Sequence, residues 1–153
     1  MHPRFVRATR SLDASYKALM KMKPVNVASM PKGMPTRGIY LFSEGKKHLY
    51  VGRSNKLHKR PGRHCGTHRM AAFAFRLARE TTGFVQPSYK RGDKSRDGLM
   101  TNPAFVKAFM QAKERIRKMD LRFVEEGDQT KQVLLEIYCA VALNAPYNDF
   151  NTH

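Results

Sequence analysis

The sequence is poor in acidic residues, in cysteine and in long apolar runs. Its two cysteines, Cys65 and Cys139, are too few to hold a disulfide framework. No apolar run approaches the roughly 20 residues that a membrane-spanning helix needs. The N-terminus also lacks the apolar segment of a secretory signal peptide. We therefore expect a soluble, cytoplasmic chain without a membrane partner.

The shortage of acids leaves a strongly basic chain. Among 153 residues there are 29 Lys and Arg against 12 Asp and Glu, a net charge of +17. Residues 120–153 hold two bases and six acids (net −4), so residues 1–119 carry +21. A positive field of this strength favours a polyanionic partner, most simply nucleic acid. Hydrophobic residues make up 41% of the chain, which is enough for the core of one domain.

The apolar pattern predicts an α+β fold, in which helices pack on a small mixed β-sheet of about three strands. Two alternating runs, residues 38–42 and 48–52, flank a glycine-containing turn and predict a β-hairpin. Residues 121–124 are the candidate for a third strand. We expect a basic N-terminal arm and helix over residues 1–36, and the main domain over residues 37–153.

Apolar stripes and end signals predict four helices. They cover residues 12–20, 70–82, 103–119 and about 128–143. Asn102 and Pro103 are typical of the cap and first position of a helix, and Gly83 of a helix end. Residues 1–10 are aperiodic and predict a loose arm. Residues 83–101 also lack periodicity, and we expect a mobile basic loop there.

Strand alternation assigns the two hairpin tyrosines to one face. Tyr40 and Tyr50 have even numbers, whereas the apolar hairpin residues have odd numbers and share the other face. Pairing Tyr40 with Tyr50 across a loop centred on Gly45 keeps both sets in phase. The pattern thus predicts two adjacent tyrosines on an open face. The alternative interpretation is an aromatic cross-strand pair that only stabilises the sheet.

The triplets Gly38-Ile39-Tyr40 and Tyr50-Val51-Gly52 resemble the paired signature of the GIY-YIG nucleases. Arg60, ten residues after Tyr50, is similar to the arginine that follows the second motif in that family. His64 is similar to a histidine of several of its branches. The resemblance covers about residues 37–150 and implies an endonuclease fold that acts on DNA.

The resemblance also singles out two late residues. Glu136 lies in an apolar helix, as the metal-binding glutamate of the family does. Asn148 is similar to a late asparagine of its excinuclease branch, and we expect it to contact the nucleic acid. A carboxylate among apolar neighbours has to be paired or bind a metal. One carboxylate with waters and phosphate oxygens suits Mg²⁺ or Mn²⁺. The alternative is a structural glutamate that is hydrogen-bonded to a tyrosine or an arginine.

The expected chemistry is hydrolysis of a phosphodiester. Arg60 can offer a fork of donors to the phosphate, and Arg53 is a second candidate for that contact. We expect Tyr40 to be the general base and Tyr50 to orient the water or the phosphate. Nearby cations would lower the pKa of the tyrosine that acts as the base. His64 is a hydrogen-bond partner or an alternative base.

Basic residues outside the hairpin are expected to hold the nucleic acid. Lys90 and Arg91 lie in the predicted loop, and Lys107, Arg115 and Lys118 lie off the apolar stripe of their helix. A metal-dependent DNA endonuclease is our leading hypothesis. The first alternative is a non-catalytic nucleic-acid-binding protein on the same fold. The second is an RNA-directed nuclease or binder, because charge does not separate DNA from RNA.

Overall fold

The computed structural model describes residues 1–66, 71–84, 92 and 95–150. The chain folds as two compact units. The first consists of Met1–Pro61 and Met119–His153, and the second is the intervening segment Gly62–Lys118. This division differs from the predicted boundary at residue 36, because the N-terminal residues fold into the same unit as the hairpin.

The described residues contain seven α-helices and three strands. In chain order they are α1 (Pro3–Thr9), α2 (Leu12–Lys21), β1 (Gly38–Glu44), β2 (Lys47–Ser54), α3 (Arg60–Arg63), α4 (Ala72–Thr82), α5 (Arg96–Leu99), α6 (Pro103–Arg117), β3 (Asp120–Glu125) and α7 (Gln129–Ala142). A single 3-10 turn, Val27–Ser29, follows α2. Within the described ranges, no helix is both long and apolar enough to cross a bilayer.

Three strands form an antiparallel sheet in the order β2-β1-β3. The α+β class and the three strands agree with the sequence-based prediction. The prediction of a mixed sheet is wrong, since β1 runs antiparallel to both of its neighbours. Side-chain alternation reports which residues share a face but not the direction in which a later strand joins the sheet. Strand β3 returns to the sheet only after the whole second unit has intervened.

The register of the hairpin differs by two residues from the predicted one. Tyr40 pairs with Gly52, and Phe42 pairs with Tyr50, so Tyr40 does not lie directly opposite Tyr50. A shift of two preserves the alternation of faces. Tyr40 and Tyr50 therefore share one face as predicted, in diagonal positions on neighbouring strands.

A short turn and a β-bulge account for this register. Glu44 pairs with Lys47, so the turn contains only Gly45 and Lys46, and the register shifts between Phe42 and Ser43. The extra residue in β2 is Leu49. A two-residue turn with one bulged residue replaces the predicted symmetrical loop and keeps the apolar residues of both strands in phase.

Both faces of the central strand β1 are buried. Ile39 and Leu41 lie in the core of the first unit with residues of α2, β2 and α7. That core consists of Leu12, Leu19, Ile39, Leu41, Val51, Leu135, Cys139, Ala140 and Ala145. On the other face Tyr40 and Phe42 are also buried, so the predicted open face is wrong for Tyr40. Tyr50, on the edge strand β2, is only half-buried.

The N-terminal segment is more ordered than its sequence predicts. Residues 3–9 form α1 instead of a loose arm, with Pro3 in the first turn and the His2 ring accepting from the Arg4 amide at 3.3 Å. A proline with its φ preset for the helix favours such a start even without an apolar stripe. Helix α2 follows, and it buries Leu12 and Leu19 as its stripe predicts.

The second unit is built around α4 and α6. The Asn102 carboxamide caps α6 by accepting from the amides of Ala104 and Phe105, at 3.0 and 3.2 Å. Four stripe residues are buried as predicted: Phe105, Phe109, Ala112 and Ile116. Helix α4 ends at Gly83 in the left-handed conformation, again as predicted. Of the predicted loop 83–101, residues 85–91, 93 and 94 lie outside the described residues, and Arg96–Leu99 near its end form α5, which Ser95 caps.

Candidate active site

The phenol of Tyr40 lies against the backbone of Gly52. A Cβ atom at residue 52 would lie 2.3 Å from Tyr40 Oη and 2.4 Å from Tyr40 Cζ. The ring therefore occupies the space that any larger residue at position 52 would need. Gly52 of the second triplet therefore has a structural role, because a residue without a Cβ atom leaves room for the ring of Tyr40 from the first triplet.

Aromatic rings surround the Tyr40 phenol on its own face of the sheet. The ring centroids of Tyr40 and Tyr50 are 6.3 Å apart, with the planes tilted by 51°. Phe42 packs edge-on against Tyr40 at 5.8 Å. These distances are typical of stabilising aromatic pairs. The arrangement brings the two tyrosines into one cluster, as the alternation predicted.

The ionisation of Tyr40 is disfavoured in this environment. The residue is 1% exposed. Burial raises the pKa of Tyr40 well above that of an ordinary tyrosine, and the neighbouring Tyr50 raises it further. The nearby Arg60 guanidinium opposes the shift. The expected net lowering of the pKa is therefore not found, because the loss of hydration outweighs the nearby guanidinium.

Arg60 reaches this cluster from the segment that follows β2. Leu57 anchors the segment, since its side chain is fully buried and its amide donates to the Thr36 carbonyl at 2.7 Å. The Arg60 amide donates to the Lys56 carbonyl at 3.0 Å, and α3 begins there. These contacts place Arg60, which follows Tyr40 by twenty residues in the sequence, near the Tyr40 phenol.

Glu136 of α7 is paired with Arg53. Arg53 Nε donates to Glu136 Oε2 at 3.1 Å, with 47% of the arginine and 21% of the glutamate side chain exposed. Burial raises the pKa of the Glu136 carboxyl, and the Arg53 guanidinium partly opposes that shift. The interaction uses one of the two carboxylate oxygens.

The faces of the sheet separate this ion pair from the tyrosine rings. Arg53 pairs with Ile39 in the register and so lies on the face whose core residues pack with α7. Tyr40 and Tyr50 belong to the opposite face. Glu136 contacts Arg53, as in the structural alternative, but its charge still raises the pKa of Tyr40, so the two groups interact electrostatically.

Gln132 is a polar residue of the site that sequence reasoning missed. Its side chain is only 1% exposed. Gln132 Nε2 donates to Asn55 Oδ1 at 3.1 Å and to the Glu126 carbonyl at 2.7 Å. Its position in the sequence could have identified Gln132, because it precedes Glu136 by about one helical turn and both residues therefore lie on the same side of α7. Gln132 ties the segment that carries Arg60 to the helix that carries Glu136.

Asn148, which is expected to contact nucleic acid, makes a structural contact with the edge strand β2. Its Oδ1 accepts from the Val51 amide and its Nδ2 donates to the Val51 carbonyl, both at 2.7 Å. The Tyr147 amide donates to the Leu49 carbonyl at 3.1 Å. Strand β2 is an edge strand, and an edge leaves backbone groups to be satisfied. The carboxamide of Asn148 satisfies two of them.

Replacing Asn148 by alanine is expected to lower the free energy of unfolding by about 2 kcal/mol, at roughly 1 kcal/mol for each hydrogen bond lost. Chemical denaturation measures this change. Asn148→Asp keeps an acceptor for the Val51 amide but places a second acceptor oxygen against the Val51 carbonyl, so at neutral pH it should be at least as destabilised as Asn148→Ala. Equal stability of the wild type and the alanine variant would show that the two hydrogen bonds between Asn148 and Val51 do not stabilise the fold.

The remaining predicted residues fall within the segment Gly62–Lys118. His64 belongs to the second unit, where it is 1% exposed and its ring lies 6.2 Å from that of Phe73. Such burial does not present the imidazole to solvent as an alternative base. Lys90 and Arg91 lie outside the described residues. Lys107, Arg115 and Lys118 are exposed on α6, as predicted.

The donor set at Glu136 suits a cation that retains most of its water. In the part of the chain that the structure describes, no three His, Cys, Asp or Glu side chains cluster as metal ligands. A partly buried carboxylate, one oxygen of which is used by Arg53, can still contribute a ligand. Mg²⁺ and Mn²⁺ fit such a site because they are commonly held by one or two carboxylates together with phosphate oxygens and water.

Comparisons with known proteins give no further assignment. No protein-family model, curated protein or solved structure matches this chain. The functional proposal therefore depends on the residues, their contacts and the resemblance of the two triplets.

Proposed function

We propose that this protein is a metal-dependent endonuclease that hydrolyses phosphodiester bonds in DNA. The observation that carries the proposal is a cluster of residues that are distant in sequence: the Tyr40 ring lies against Gly52 and 6.3 Å from the ring of Tyr50, and Arg60 lies near its phenol. Tyr50, Arg60 and Glu136 all act on the buried phenol of Tyr40. These are also the residues that the resemblance to GIY-YIG nucleases singles out. A sheet stabilised only by aromatic pairing needs neither the arginine nor the carboxylate.

Hydrolysis requires a water oxygen to bond to phosphorus while the bond to the leaving oxygen breaks. A base must take the proton of the water, and cationic donors must stabilise the charge on the phosphoryl oxygens. Arg60 supplies such donors. Because burial opposes the ionisation of Tyr40, we assign the proton transfer to the half-buried Tyr50. Tyr40, which lies near the Arg60 guanidinium, then helps to position that group.

Glu136 would hold the divalent cation. When bound, such a cation supplies Lewis-acid stabilisation of the phosphoryl charge. Glu136 itself would contribute one carboxylate oxygen, and its other oxygen is paired with Arg53. Gln132 supports this part of the site by holding α7 against the segment that carries Arg60.

The charge of both units supports a nucleic-acid substrate. Residues 62–118 hold 13 bases and four acids, a net charge of +9, and the rest of the chain carries +8. Such a charge attracts DNA and RNA alike. The main alternative is a binding protein without catalysis, and the raised pKa of Tyr40 together with the Arg53–Glu136 pair favours it.

A cleavage assay separates these alternatives. The full-length protein is incubated with supercoiled plasmid, branched DNA and structured RNA, each with Mg²⁺ and with a chelator. We expect metal-dependent nicking or cutting of DNA. Binding without cleavage of any substrate would favour the non-catalytic alternative. Cleavage confined to RNA would assign the protein to RNA processing.

Replacing Lys107, Arg115 and Lys118 together by glutamine is expected to weaken DNA binding and to flatten its salt dependence. Each lost phosphate contact should lower the slope of log affinity against log salt by roughly 0.9. Cleavage at saturating DNA should be preserved, because these exposed residues hold the duplex without touching the reacting phosphate. Fluorescence anisotropy at several salt concentrations measures the slope.

The matched control for the α6 variant removes three other exposed lysines. These are Lys21, Lys23 and Lys32. Both triple variants lose the same formal charge, so a general field effect would weaken binding equally. A lower slope in the α6 variant alone would locate the docking face on α6. Equal slopes would show that the duplex is held elsewhere.

A further inference from the structure

The Arg53–Glu136 ion pair occupies the carboxylate that the proposed metal would need. Arg53 projects from the edge strand β2, and Glu136 projects from α7. Their contact is single, from Nε to Oε2 at 3.1 Å, and leaves the terminal amino groups of the guanidinium outside it. Nearly half of the arginine side chain is exposed. An arginine in this position can leave the carboxylate without unfolding its surroundings.

A divalent cation and Arg53 cannot both bind this carboxylate at full strength. A magnesium–oxygen distance is about 2.1 Å. A cation bound to Glu136 would therefore lie within a few ångströms of the guanidinium, and two positive groups at that distance repel each other.

We propose that Arg53 is an exchangeable counter-ion of Glu136. It neutralises the carboxylate until a divalent cation binds, and the released guanidinium then binds a phosphate of the nucleic acid. This inference rests on the proposed metal-dependent function. It adds that metal binding and nucleic-acid binding are coupled through one side chain.

Thermodynamic linkage states the consequences of this exchange. If the metal frees Arg53 for phosphate, the metal must raise the affinity for nucleic acid, and nucleic acid must raise the affinity for metal by the same factor. Removing Arg53 should then strengthen metal binding to the protein alone. It should also abolish the part of the coupling that passes through the guanidinium.

The first measurement is a Mn²⁺ titration of the nucleic-acid-free protein, followed by water-proton relaxation. Arg53→Gln is expected to bind Mn²⁺ about two- to five-fold more tightly than the wild type, the factor that corresponds to losing a partly exposed ion pair. Lys56→Gln removes the same charge from an exposed lysine three residues away and serves as the matched control. Equal Mn²⁺ affinities of the two variants would overturn the inference.

The second measurement is the affinity for a 20-base-pair DNA duplex with and without Ca²⁺, an oxygen-binding cation, with gel analysis to show that the duplex stays intact. Ca²⁺ should raise the affinity of the wild type and of Lys56→Gln. The increase should be smaller for Arg53→Gln. An undiminished increase in that variant would show that Arg53 does not carry the coupling.

The outcomes distinguish this inference from the proposed function. Metal-dependent cleavage that persists while Arg53→Gln and Lys56→Gln behave alike refutes the exchange only. Mn²⁺ binding that is unaffected by Glu136→Gln refutes the metal site and the exchange together. Tighter Mn²⁺ binding by Arg53→Gln in a protein that cleaves nothing supports the exchange and refutes the nuclease activity.

Discussion

Replacing Glu136 by glutamine is expected to lower the rate of metal-dependent DNA cleavage by roughly 10²–10³-fold. The substitution keeps the size of the side chain but removes the charge that would hold the cation. Lewis-acid stabilisation is worth several kcal/mol, and each 1.36 kcal/mol changes the rate tenfold. Affinity for DNA should stay equal or rise, because a carboxylate repels phosphate. Single-turnover cleavage and anisotropy measure the two effects separately.

Glu125→Gln is the control for this experiment. Glu125 is an exposed acid at the end of β3, and its substitution changes the net charge by the same amount. It should cleave at close to the wild-type rate. Thermal melting of both variants shows whether the loss of the Arg53 contact affects folding. If Glu136→Gln cleaves as fast as Glu125→Gln, Glu136 is a structural partner of Arg53 and the non-catalytic alternative gains support.

Replacing Gly52 by alanine is expected to displace the Tyr40 phenol and to impair both stability and cleavage. The added Cβ would meet the ring at distances that atoms do not tolerate. Because Tyr40 is buried in the central strand, the ring has little room to move. Overpacking of this kind costs about 1–3 kcal/mol. A displacement of about 1 Å at the site can lower the rate by roughly 10²-fold. Denaturant unfolding and single-turnover cleavage test the two effects.

Two further variants separate the clash from a general effect of alanine. Gly33→Ala is the matched control, since nothing lies within 4 Å of a Cβ at that position. It should leave stability and cleavage unchanged. Combining Gly52→Ala with Tyr40→Leu relieves the clash and should restore much of the stability, but not the cleavage. Wild-type stability and cleavage in the single Gly52→Ala variant would show that the contact with Tyr40 is unimportant.

Local patterns predicted the elements of this fold well because short-range physics determines them. The stripe of α6 identified its buried face, and the Asn102-Pro103 start identified its cap. Alternation in the hairpin placed Tyr40 and Tyr50 on one face even though their register was wrong. A shift of two residues in the register leaves every side chain on the same face of the sheet. The length of the turn and the position of a bulge depend on backbone detail that the alternation does not report.

The candidate site was predicted less completely. The spacing of Tyr40, Tyr50 and Arg60 identified three members of the cluster from their resemblance to a nuclease signature. Their environment was not predictable in the same way. Tyr40 is buried because the second face of β1 is covered. The alternation of side chains along a strand does not report whether such a face is open or covered. The direction of the Tyr40 pKa shift follows from this burial.

The sequence by itself determined the class of the fold, the positions of the main helices and the shared face of the two tyrosines, since each depends on periodicity within one segment. Only the tertiary structure decided the partners of the polar side chains. Arg53 meets Glu136 across 83 residues, and Asn148 meets Val51 across 97 residues. Such contacts depend on how the elements dock, because a guanidinium or a carboxamide can bind any acceptor that the fold brings within reach.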